Sequence, residues 1–572
     1  MATTTSGLDR LLRMWRTVRP LRPVQLFGRV RHLGWRPRPD TSPAPELREA
    51  CGPWADPPAP EPSMLPPDAF RFLGVERRLA CATDWNRTDW PKLWLYNLHY
   101  FDDLLARDAA QRREAHLALM DRWLRENPPG LGNGWEPYCL SRRIVNWIKA
   151  THAGLPLSAP LRHSLAVQTR YLGKRIEWHL LGNHLFENAR ALIFAGAFFQ
   201  GPEPQAWLQL GRRILFEQLD EQVLPDGGHF ELSPMYHAIV LEGTLDLMNL
   251  ARRQPGVLAE PDVERLRSVC ARMLSWLHTT IHPDGEIALL NDAAFGIASP
   301  PSAITQYAAR LGVAGGPMPA PDVVAGHAQC VWLAASGYVR LWCADAVALL
   351  DVGEIGPQYL PGHAHADSLS FELSIGGHRV VVDSGTSTYA ADAERLRQRG
   401  TAAHNTVVVD DADSSEVWSS FRVARRARPL GTNVDAHAEM VRVRAGHDGY
   451  RRLPGRATHR REWRFDGGHI DIDDRIEGRF HSARARVHLH PAVNVRHLDP
   501  QHLALTLPDG RRIQVSGRHP LRRETGSWHP RFGTSEPTQV IVQDCVDGTA
   551  SLRISWGDAP AARDPTQTKA ST

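Results

Sequence analysis

The hydrophobic residues of this chain change their spacing once, near residue 330, and this change limits the possible folds more than any other feature. From about residue 90 to 310 they recur every three or four positions, as in "PDVERLRSVCARMLSWL", which predicts amphipathic helices. After about residue 330, short β-rich segments alternate with Gly, Asp and Asn turns, as in "SFELSIGGHRVVVDSG". The sequence therefore predicts helices first and antiparallel sheets second, with the boundary between residues 320 and 335.

Two similar turns, "LPDGGHFE" (Leu224–Glu231) and "HPDGEIAL" (His282–Leu289), each follow a predicted helix. Repeated helix pairs with like turns indicate an α/α toroid with those turns on one face, and many short, regularly spaced strands indicate an antiparallel sandwich. A chain of 572 residues is also too long for a single core. We predict a basic, Pro-rich N-terminal arm (1–88), an α/α toroid (89–325), an antiparallel β-sandwich (326–560) and a disordered tail (561–572).

The cations of this chain are almost all arginine, since only four of its 67 Lys+Arg residues are lysine. Arginine binds carboxylate and sulfate with two parallel hydrogen bonds, so an anionic ligand is compatible with this composition. A GC-rich coding bias explains most of the arginines more simply. Clusters such as "RVARRARP" lack a recognisable reading element, so nucleic acid is not a predicted partner.

The seven cysteines are scattered and never spaced as CxxC, which argues against a disulfide framework and against a thiolate zinc site. In the segment "MATTTSGLDRLLRMWRTVRPLRPVQLFGRVRHLGW", arginines interrupt the apolar residues every few positions. This pattern predicts no signal peptide and no membrane span, and a cytoplasmic location is the default expectation. The same segment is compatible with a short basic amphipathic helix and a peripheral membrane contact.

Three segments carry candidate catalytic residues. "LLGNHLFENARAL" places Asn183 and His184 at the head of a helix, and "ELSPMYHAIVLEG" places Tyr236 and His237 just after the first Pro-Asp-Gly turn. "PGHAHADSLSFEL" holds His363, His365 and Asp367 at the start of a strand, where residues two apart point to the same side. Ordinary roles exist for all of them: a helix cap for Asn183, a half-buried aromatic for Tyr236, and a solvent-facing rim for the histidines.

Asp383 follows three valines at the end of a buried strand in "VVVDSGTSTY", and a buried carboxylate needs a partner. His404 opens the next strand in "AAHNTVVV". Together with His365, these residues form an N,N,O set that zinc accepts, with water or another group in the fourth position. No local HxxxH or HExxH pattern accompanies them, so the spacing alone does not establish a metal site.

Seven motifs, in order, resemble the heparinase II/III family of polysaccharide lyases over roughly residues 90 to 490. They are "YNLHYFDDL", "WEPYCLSRRIVNW", "GNHLFENARAL", "DGGHFELSPMYH", "GHAHADSLSFEL", "VVVDSGTSTY" and "AHNTVVVD". The resemblance implies an incomplete α/α toroid joined to an antiparallel β-sandwich. It also implies β-elimination on a uronic-acid-containing acidic polysaccharide, with the active site in the cleft between the two domains.

The resemblance also implies roles for individual residues. Asn183, with His184, would neutralise the uronate carboxylate, which makes the neighbouring C5 proton acidic enough to remove. Tyr236 would be the general acid, and plausibly also the base, with His363 as the partner base. His365, Asp383 and His404 match the family's metal ligands, with zinc in a structural role, and Asp367 is left to local hydrogen bonding. Candidate substrate-binding or cleft-lining residues are Arg142, Arg143, Arg190, Glu231, His237, Arg397 and Arg399.

The source of the polymer and two other functional classes stay open at the level of sequence. Members of the family without an export signal are associated with capsule or exopolysaccharide assembly, which would make the substrate the cell's own polymer. One of the other classes is a non-catalytic carbohydrate-binding relative. The other is a glycoside hydrolase, because α/α toroids host many hydrolases; it would need two opposed carboxylates. The available carboxylates are Glu187, Asp226, Glu231 and Asp284, although Pro-Asp-Gly aspartates are more simply turn formers.

Overall fold

The computed structural model describes residues 7–65, 67–316, 327–437 and 439–556. The predicted disordered tail, 561–572, and the predicted domain boundary at 325/326 lie outside these ranges. The last helix before that boundary ends at Arg310 and the first strand after it begins at Gln329. From residue 92 onward, the main run of helices therefore precedes the larger sheets, as the change of hydrophobic period predicted.

Twelve α-helices are present in the described residues. They are α1 (Gly7–Val18), α2 (Pro23–Gly34), α3 (Lys92–Tyr100), α4 (Arg113–Glu126), α5 (Pro137–His152), α6 (Ala159–Lys174), α7 (Gly182–Phe198), α8 (Pro202–Gln222), α9 (Pro234–Arg253), α10 (Glu260–Thr279), α11 (Pro301–Arg310) and α12 (Ala393–Arg399). Helix α7 packs against α5, α6, α8 and α9, and nearly all of its residues are buried. These consecutive helices form the predicted incomplete α/α toroid.

The strands form five antiparallel sheets in the described residues. A small sheet near the N-terminus contains β1 (Met64–Leu65), β2 (Ala69–Phe72) and β3 (Val75–Arg78). A five-stranded sheet contains β4 (Gln329–Leu333), β5 (Tyr338–Cys343), β6 (Ala346–Asp351), β7 (Phe371–Ile375) and β8 (His378–Val381) in that order. A two-stranded sheet pairs β10 (Val417–Trp418) with β11 (Arg422–Val423).

The remaining two sheets complete the strand half. The larger has eight strands in the order β12 (Asn433–Ala436), β13 (Val441–His447), β14 (Thr458–Phe465), β15 (His469–Glu477), β22 (Thr549–Ser555), β19 (Arg512–Gly517), β18 (His502–Thr506) and β17 (Asn494–Asp499). The smaller has the order β20 (Leu521–Trp528), β21 (Glu536–Asp544), β16 (Ala483–His488) and β9 (Val407–Val409). Val339 and Phe371 of the five-stranded sheet share one apolar cluster with Trp463 and Ile472 of the eight-stranded sheet. That shared core is what defines the predicted antiparallel sandwich.

The two Pro-Asp-Gly turns both contact the strand half. Each closes a single antiparallel bridge, Val223 with His229 and Ile281 with Ile287. The Asp226 carboxylate accepts a hydrogen bond from the backbone N–H of Ser336, and Asp284 pairs with Arg379 at 2.6 Å. The similar turns thus lie on the face of the helical half that meets the sheets.

The predicted N-terminal arm is more ordered than its Pro-rich composition suggested, since it contains α1, α2 and the small sheet. Residues 36–63 contain no helix or strand and run across the helical half. There the backbone N–H of Arg48 donates to the Phe198 carbonyl at 2.9 Å, and that of Ala55 donates to the Asn249 side chain at 3.0 Å. None of the helices in the described ranges is long and apolar enough to cross a membrane, and all seven cysteines are free thiols.

Candidate active site

Asp292 is the centre of the candidate site and joins the two halves of the chain. It lies in the loop that follows the second Pro-Asp-Gly turn, in the helical half. Its Oδ2 is 2.9 Å from His363 Nδ1, and its Oδ1 is 2.8 Å from His365 Nε2, so one carboxylate binds both histidines. The Arg395 guanidinium of α12 donates to both oxygens, at 2.5 and 2.7 Å. All of these partners belong to the strand half.

The charge of Asp292 is strongly favoured where it lies. Burial alone would raise the pKa of this carboxyl, but Arg395 and the two histidines outweigh burial and hold the pKa well below its ordinary value. The side chains of Asp292 and Arg395 are both fully buried. A buried ion pair of this kind holds the local geometry firmly, because removing either partner would leave an uncompensated charge.

Tyr236 stacks on His363. Ser233 Oγ accepts the backbone N–H of Tyr236 at 3.3 Å and so caps the start of α9, which places the tyrosine in its first turn. The Tyr236 and His363 rings are 3.9 Å apart between centroids, with 30° between their planes. Tyr236 Oη lies 3.2 Å from Tyr389 Oη. Burial, reinforced by Tyr389, raises the pKa of Tyr236 well above its ordinary value, so the phenol stays protonated.

Glu231 connects His363 to the head of α7. Its Oε2 is 3.6 Å from His363 Nε2, and its Oε1 accepts the backbone N–H of Asn183 at 3.4 Å. Burial raises the pKa of Glu231, partly opposed by His363. A side chain at Gly182 would place its Cβ 2.9 Å from Glu231 Oε1 and 2.4 Å from Leu360 Cδ2, and Gly182 has φ +53°. Only glycine fits this approach of α7 to the carboxylate.

Asn183 and His184 stand beside this group at the start of α7. The Asn183 contact to Glu231 uses the backbone, so its side-chain amide is not consumed by it. His184 Nδ1 lies 3.1 Å from Glu177 Oε1, and its ring packs 4.6 Å from Tyr138. Burial alone would lower the pKa of His184, but the Glu177 carboxylate outweighs it and the pKa is raised. Arg142, one turn after Tyr138 on α5, bonds Asp102 at 2.9 Å and keeps part of its side chain exposed.

The backbone is strained at three positions that flank these side chains. Leu181, Leu232 and Asn291 have φ values of +61°, +58° and +56°, a region that residues other than glycine rarely adopt. Leu181 comes just before Gly182 and Asn183, Leu232 comes just after Glu231, and Asn291 comes just before Asp292. Strain of this kind persists where the surrounding structure over-determines it, and it concentrates at functional sites.

The predicted metal ligands lie close together but do not meet at one point. The His365 and His404 rings are 5.3 Å apart, while Asp383 bonds His404 Nδ1 at 2.7 Å instead of facing both histidines. Across residues 7–316 and 327–556, no group of three or more His, Cys, Asp or Glu side chains is arranged to hold a metal ion. As it stands, Asp383 orients His404, in the way that a carboxylate supports a metal-binding histidine.

Orphaned polar atoms nevertheless mark this place. His365 Nδ1, His404 Nε2 and Asp367 Oδ1 are fully buried and have no hydrogen-bond partner among the described residues. Unpaired buried polar atoms are costly, and imidazole nitrogens and carboxylate oxygens are the donors that zinc prefers. These atoms match zinc in chemical type but not in their present arrangement. Asp367, which the sequence analysis had assigned to local hydrogen bonding, is one of them.

Two residues predicted to bind substrate, Arg190 and His237, are buried and contact only other protein groups. Arg190 is buried and pairs with Glu187 at 2.8 Å and with Asp246 at 2.6 Å. His237 is fully buried, its Nε2 lies 2.8 Å from the Met273 carbonyl, and burial lowers its pKa to about 3. Neither residue reaches the surface of the site, so neither is placed to contact a substrate.

Other candidate arginines also serve the framework. Arg143 donates to the Gly134 and His99 carbonyls inside the helical half, and Arg399 donates to the Ala364 carbonyl. Arg397 is exposed and pairs with Glu394 at 2.7 Å. Arg399 thereby fixes the backbone between His363 and His365.

The segment from His363 to Asp367 is irregular and lies outside any strand, since β7 begins only at Phe371. The expected alternation along a strand therefore does not apply to it. His363 and His365 share a partner because both turn toward Asp292, not because a strand places them on one side.

Two family models match this chain. Heparinase II/III N-terminus matches residues 158–309, and Heparinase II/III-like, C-terminal matches residues 326–557. The chain belongs to the heparinase II/III-like family. The first match lies in the helical half and contains Asn183, Tyr236 and Asp292. The second covers the strand half and contains His363.

Curated relatives of this chain include one protein named as a lyase and one named for its location in the cell. A heparin-sulfate lyase of Bacteroides stercoris is 28% identical over 258 residues, which are 42% of this chain and 37% of the relative. FtsZ-localized protein C of Caulobacter vibrioides is 28% identical over 403 residues, 67% of this chain and 64% of the relative. The alignments thus span less than two thirds of the length of these family relatives.

Solved structures support the fold of the family. The crystal structure of heparinase III matches with a TM-score of 0.62 at 16% identity, covering 96% of this chain and 88% of that chain. At this identity the likeness concerns the fold alone. It agrees with the toroid and sandwich that the change of hydrophobic period predicted.

Sequence reasoning missed three residues of the site: Asp292, Tyr389 and Arg395. One signal for Asp292 was available, since both Pro-Asp-Gly turns lead into the site, the first to Glu231 and the second to Asp292. Arg395 lies within "DAERLRQRG", which reads as an ordinary exposed helix. Its role depends on a contact across 103 residues of sequence, which no local pattern reveals.

Proposed function

We propose that this protein is a polysaccharide lyase that cleaves a uronic-acid-containing acidic polysaccharide by β-elimination in the space between the helical and strand halves. The observation that carries the proposal is the stacked pair of Tyr236 and His363, 3.9 Å apart, with His363 bonded to Asp292. Elimination needs a proton acceptor and a proton donor side by side, and this pair supplies one of each.

Asn183 and His184 would receive the uronate carboxylate. A C5 proton is acidic enough to remove only when the adjacent carboxylate is neutralised and the developing enolate is stabilised. The raised pKa of His184 favours a cationic imidazole next to the Asn183 amide. A cation and an amide donor together suit one carboxylate.

His363 would accept the C5 proton. Its Nδ1–H donates to Asp292, which leaves the lone pair on Nε2. As the C5–H bond breaks, its electrons form the C4=C5 double bond and the C4–O bond breaks. Tyr236, kept protonated by burial, donates its proton to the leaving oxygen. The proton on His363 then returns to Tyr236, directly or through solvent, before the next cycle.

We propose that a zinc ion, when bound, would supply structural cross-linking between the loops that carry His365 and His404, with Asp383 orienting His404. The unpartnered nitrogens of the two histidines support this proposal. No step of the elimination passes through the metal.

The geometry favours a lyase over a glycoside hydrolase. A hydrolase needs two opposed carboxylates free to act. Three of the four candidates are held in framework contacts: Asp226 by Ser336, Asp284 by Arg379 and Glu187 by Arg190. Glu231 alone lies beside His363. A non-catalytic carbohydrate-binding role is the second candidate, because one curated relative is named for its localisation with FtsZ and not for a lyase activity.

The decisive experiment is near-ultraviolet absorbance of the purified protein with a panel of acidic polysaccharides, which detects the unsaturated product. The panel includes the polymers of the host cell. We expect a rising signal that is lost in Tyr236→Phe and kept in Tyr171→Phe, a buried tyrosine of α6 that packs against Trp135. Sugar binding without any rise in absorbance would favour the carbohydrate-binding role, and saturated reducing ends would favour a hydrolase.

The proposal includes a cytoplasmic location and a polymer made by the cell itself. Detection of the native protein in the periplasm or the medium would contradict them.

A further inference from the structure

Helices α1 and α2 expose an unusual amount of apolar surface. Phe27 and Leu33 are 77% and 81% exposed, and side chains three to four positions apart continue the same stripe on each helix. The most exposed members of this surface are Leu8, Leu11, Trp15, Phe27, Val30 and Leu33. Contiguous exposed apolar patches on a folded protein mark an interaction site.

Helix α2 turns its polar side toward the protein and its apolar side outward, the opposite of a helix that packs on a globular core. Gln25 is its only buried residue, Gly28 lies against His179, and His32 stacks on His179 at 4.1 Å. Its polar and small residues therefore face the protein, while Phe27 and Val30 face outward. A core-packing helix does the opposite.

The same segment is strongly basic. Residues 7–38 contain nine arginines and a single acidic residue, whereas the whole chain has a net charge of only +4. Arg19 lies over the Trp15 ring at 5.2 Å, and Arg31 lies over the Trp35 ring at 4.7 Å. Exposed tryptophan and arginine on an apolar helix are typical of segments that lie in the interface of an anionic membrane.

We propose that α1 and α2 bind the surface of an anionic lipid bilayer and hold the protein there. Charge complementarity selects this partner, because the apolar stripe needs an apolar phase and the arginines need anions next to it. The helices are too short to span a bilayer and carry too many charges, so they would lie flat in the interface.

Helices α1 and α2 also contact the strand half of the protein near the site. Arg22 lies over the Tyr359 ring at 3.8 Å and Gln25 donates to the Tyr359 carbonyl at 3.2 Å. Tyr359 precedes His363 by four residues. Arg13 pairs with Glu416 at 3.2 Å, on the segment that leads to β10. Binding would therefore hold the segment before His363 next to the membrane. Membrane binding by α1 and α2 does not depend on lyase activity.

The test is co-sedimentation of the full-length protein with vesicles of phosphatidylcholine alone and of phosphatidylcholine mixed with phosphatidylglycerol. We expect binding to the mixed vesicles, weakened by salt, since each arginine near an anionic surface strengthens binding about fivefold. The triple variant Phe27→Asp, Val30→Asp and Leu33→Asp should weaken it by about tenfold or more, because the apolar insertion is lost.

A matched control separates the anchor from exposed apolar residues in general. Leu131, Leu498 and Val546 are also exposed, at 58%, 49% and 46%. Their triple aspartate variant should bind the mixed vesicles as the unmodified protein does. Equal binding to both vesicle types, no binding, or an equal loss in the control variant would each overturn the proposal. So would light scattering that shows an oligomer which the Phe27 triple variant disperses, since the patch would then face a second copy.

Discussion

Replacing Asp292 with asparagine is the perturbation that distinguishes most sharply between a catalytic and a merely structural centre. Asparagine keeps the shape and one acceptor oxygen, but it removes the charge that Arg395 compensates and presents an NH2 group toward His363 or Arg395. His363 then loses the partner that holds its Nδ1 as the protonated nitrogen. Because a positioned general base contributes about 10²- to 10⁴-fold, we expect kcat to fall by about that factor.

The same substitution also lowers stability. It leaves the fully buried Arg395 without its counter-charge, and breaking such a pair costs about 3–5 kcal/mol. A loss of activity alone would therefore be ambiguous, since a poorly folded protein is also inactive. Thermal melting has to be measured together with the ultraviolet assay.

The double variant Asp292→Asn with Arg395→Met resolves this ambiguity. With both partners neutral, no buried charge is left unpaired, so the melting temperature should recover most of the loss. Activity should not recover, because His363 still lacks its carboxylate. Arg395→Met alone supplies the comparison, since it disturbs the ion pair and keeps the contact between Asp292 and His363. Turnover by the double variant within about threefold of the unmodified protein would refute the assigned role of Asp292, since a working base is worth far more than that.

The other predictions concern the metal, the buried network and the pH dependence. Metal analysis should find zinc in the purified protein and much less zinc in His404→Ala. Chelation should lower the melting temperature of the unmodified protein. An unchanged melting temperature would contradict a structural metal at the unpartnered nitrogens of His365 and His404. Arg190→Met should lower stability by about 3 kcal/mol and leave KM unchanged, because the arginine pairs with Glu187 and Asp246 inside the helical half; a raised KM with normal stability would restore it as a substrate ligand. The pKa of His184 is higher in the folded protein than in the unfolded chain. The imidazole is therefore fully charged below the unfolded-state pKa, and it loses this charge as the pH rises through the folded-state pKa. KM should therefore increase with pH through that range, and Glu177→Gln should move the increase to lower pH; an identical profile in Glu177→Gln would argue against His184 as the carboxylate partner.

The fold was largely predictable because hydrophobic period is a local property. The spacing in α10 and the alternation of apolar and polar residues in β7 are visible within a dozen residues. The identities of Asn183, Tyr236 and His363 followed from motifs, and the structure brings Tyr236 and His363 into contact. The family relationship itself is confirmed by the two matching models.

What the sequence could not reveal depends on contacts between distant segments. Arg190 follows Asn183 by seven residues, two turns of helix, and so shares its side of α7. That helix is buried on nearly all sides, so the arginine meets Asp246 and not solvent. The second Pro-Asp-Gly turn points to the loop that holds Asp292 but not to its partners, which are His363, 71 residues later, and Arg395, 103 residues later. Patterns of three or four residues carry no information about such pairings.

The placement of Asp292 and His363 on different halves of the chain has a consequence for folding. The carboxylate comes from the loop after α10, and its three partners come from the strand half, so none of these bonds exists until both halves have formed and docked. During refolding, the far-ultraviolet signal of the helices should return first and turnover last. Recovery of activity would then measure correct docking of the two halves. A chain whose halves have folded but docked incorrectly would be inactive.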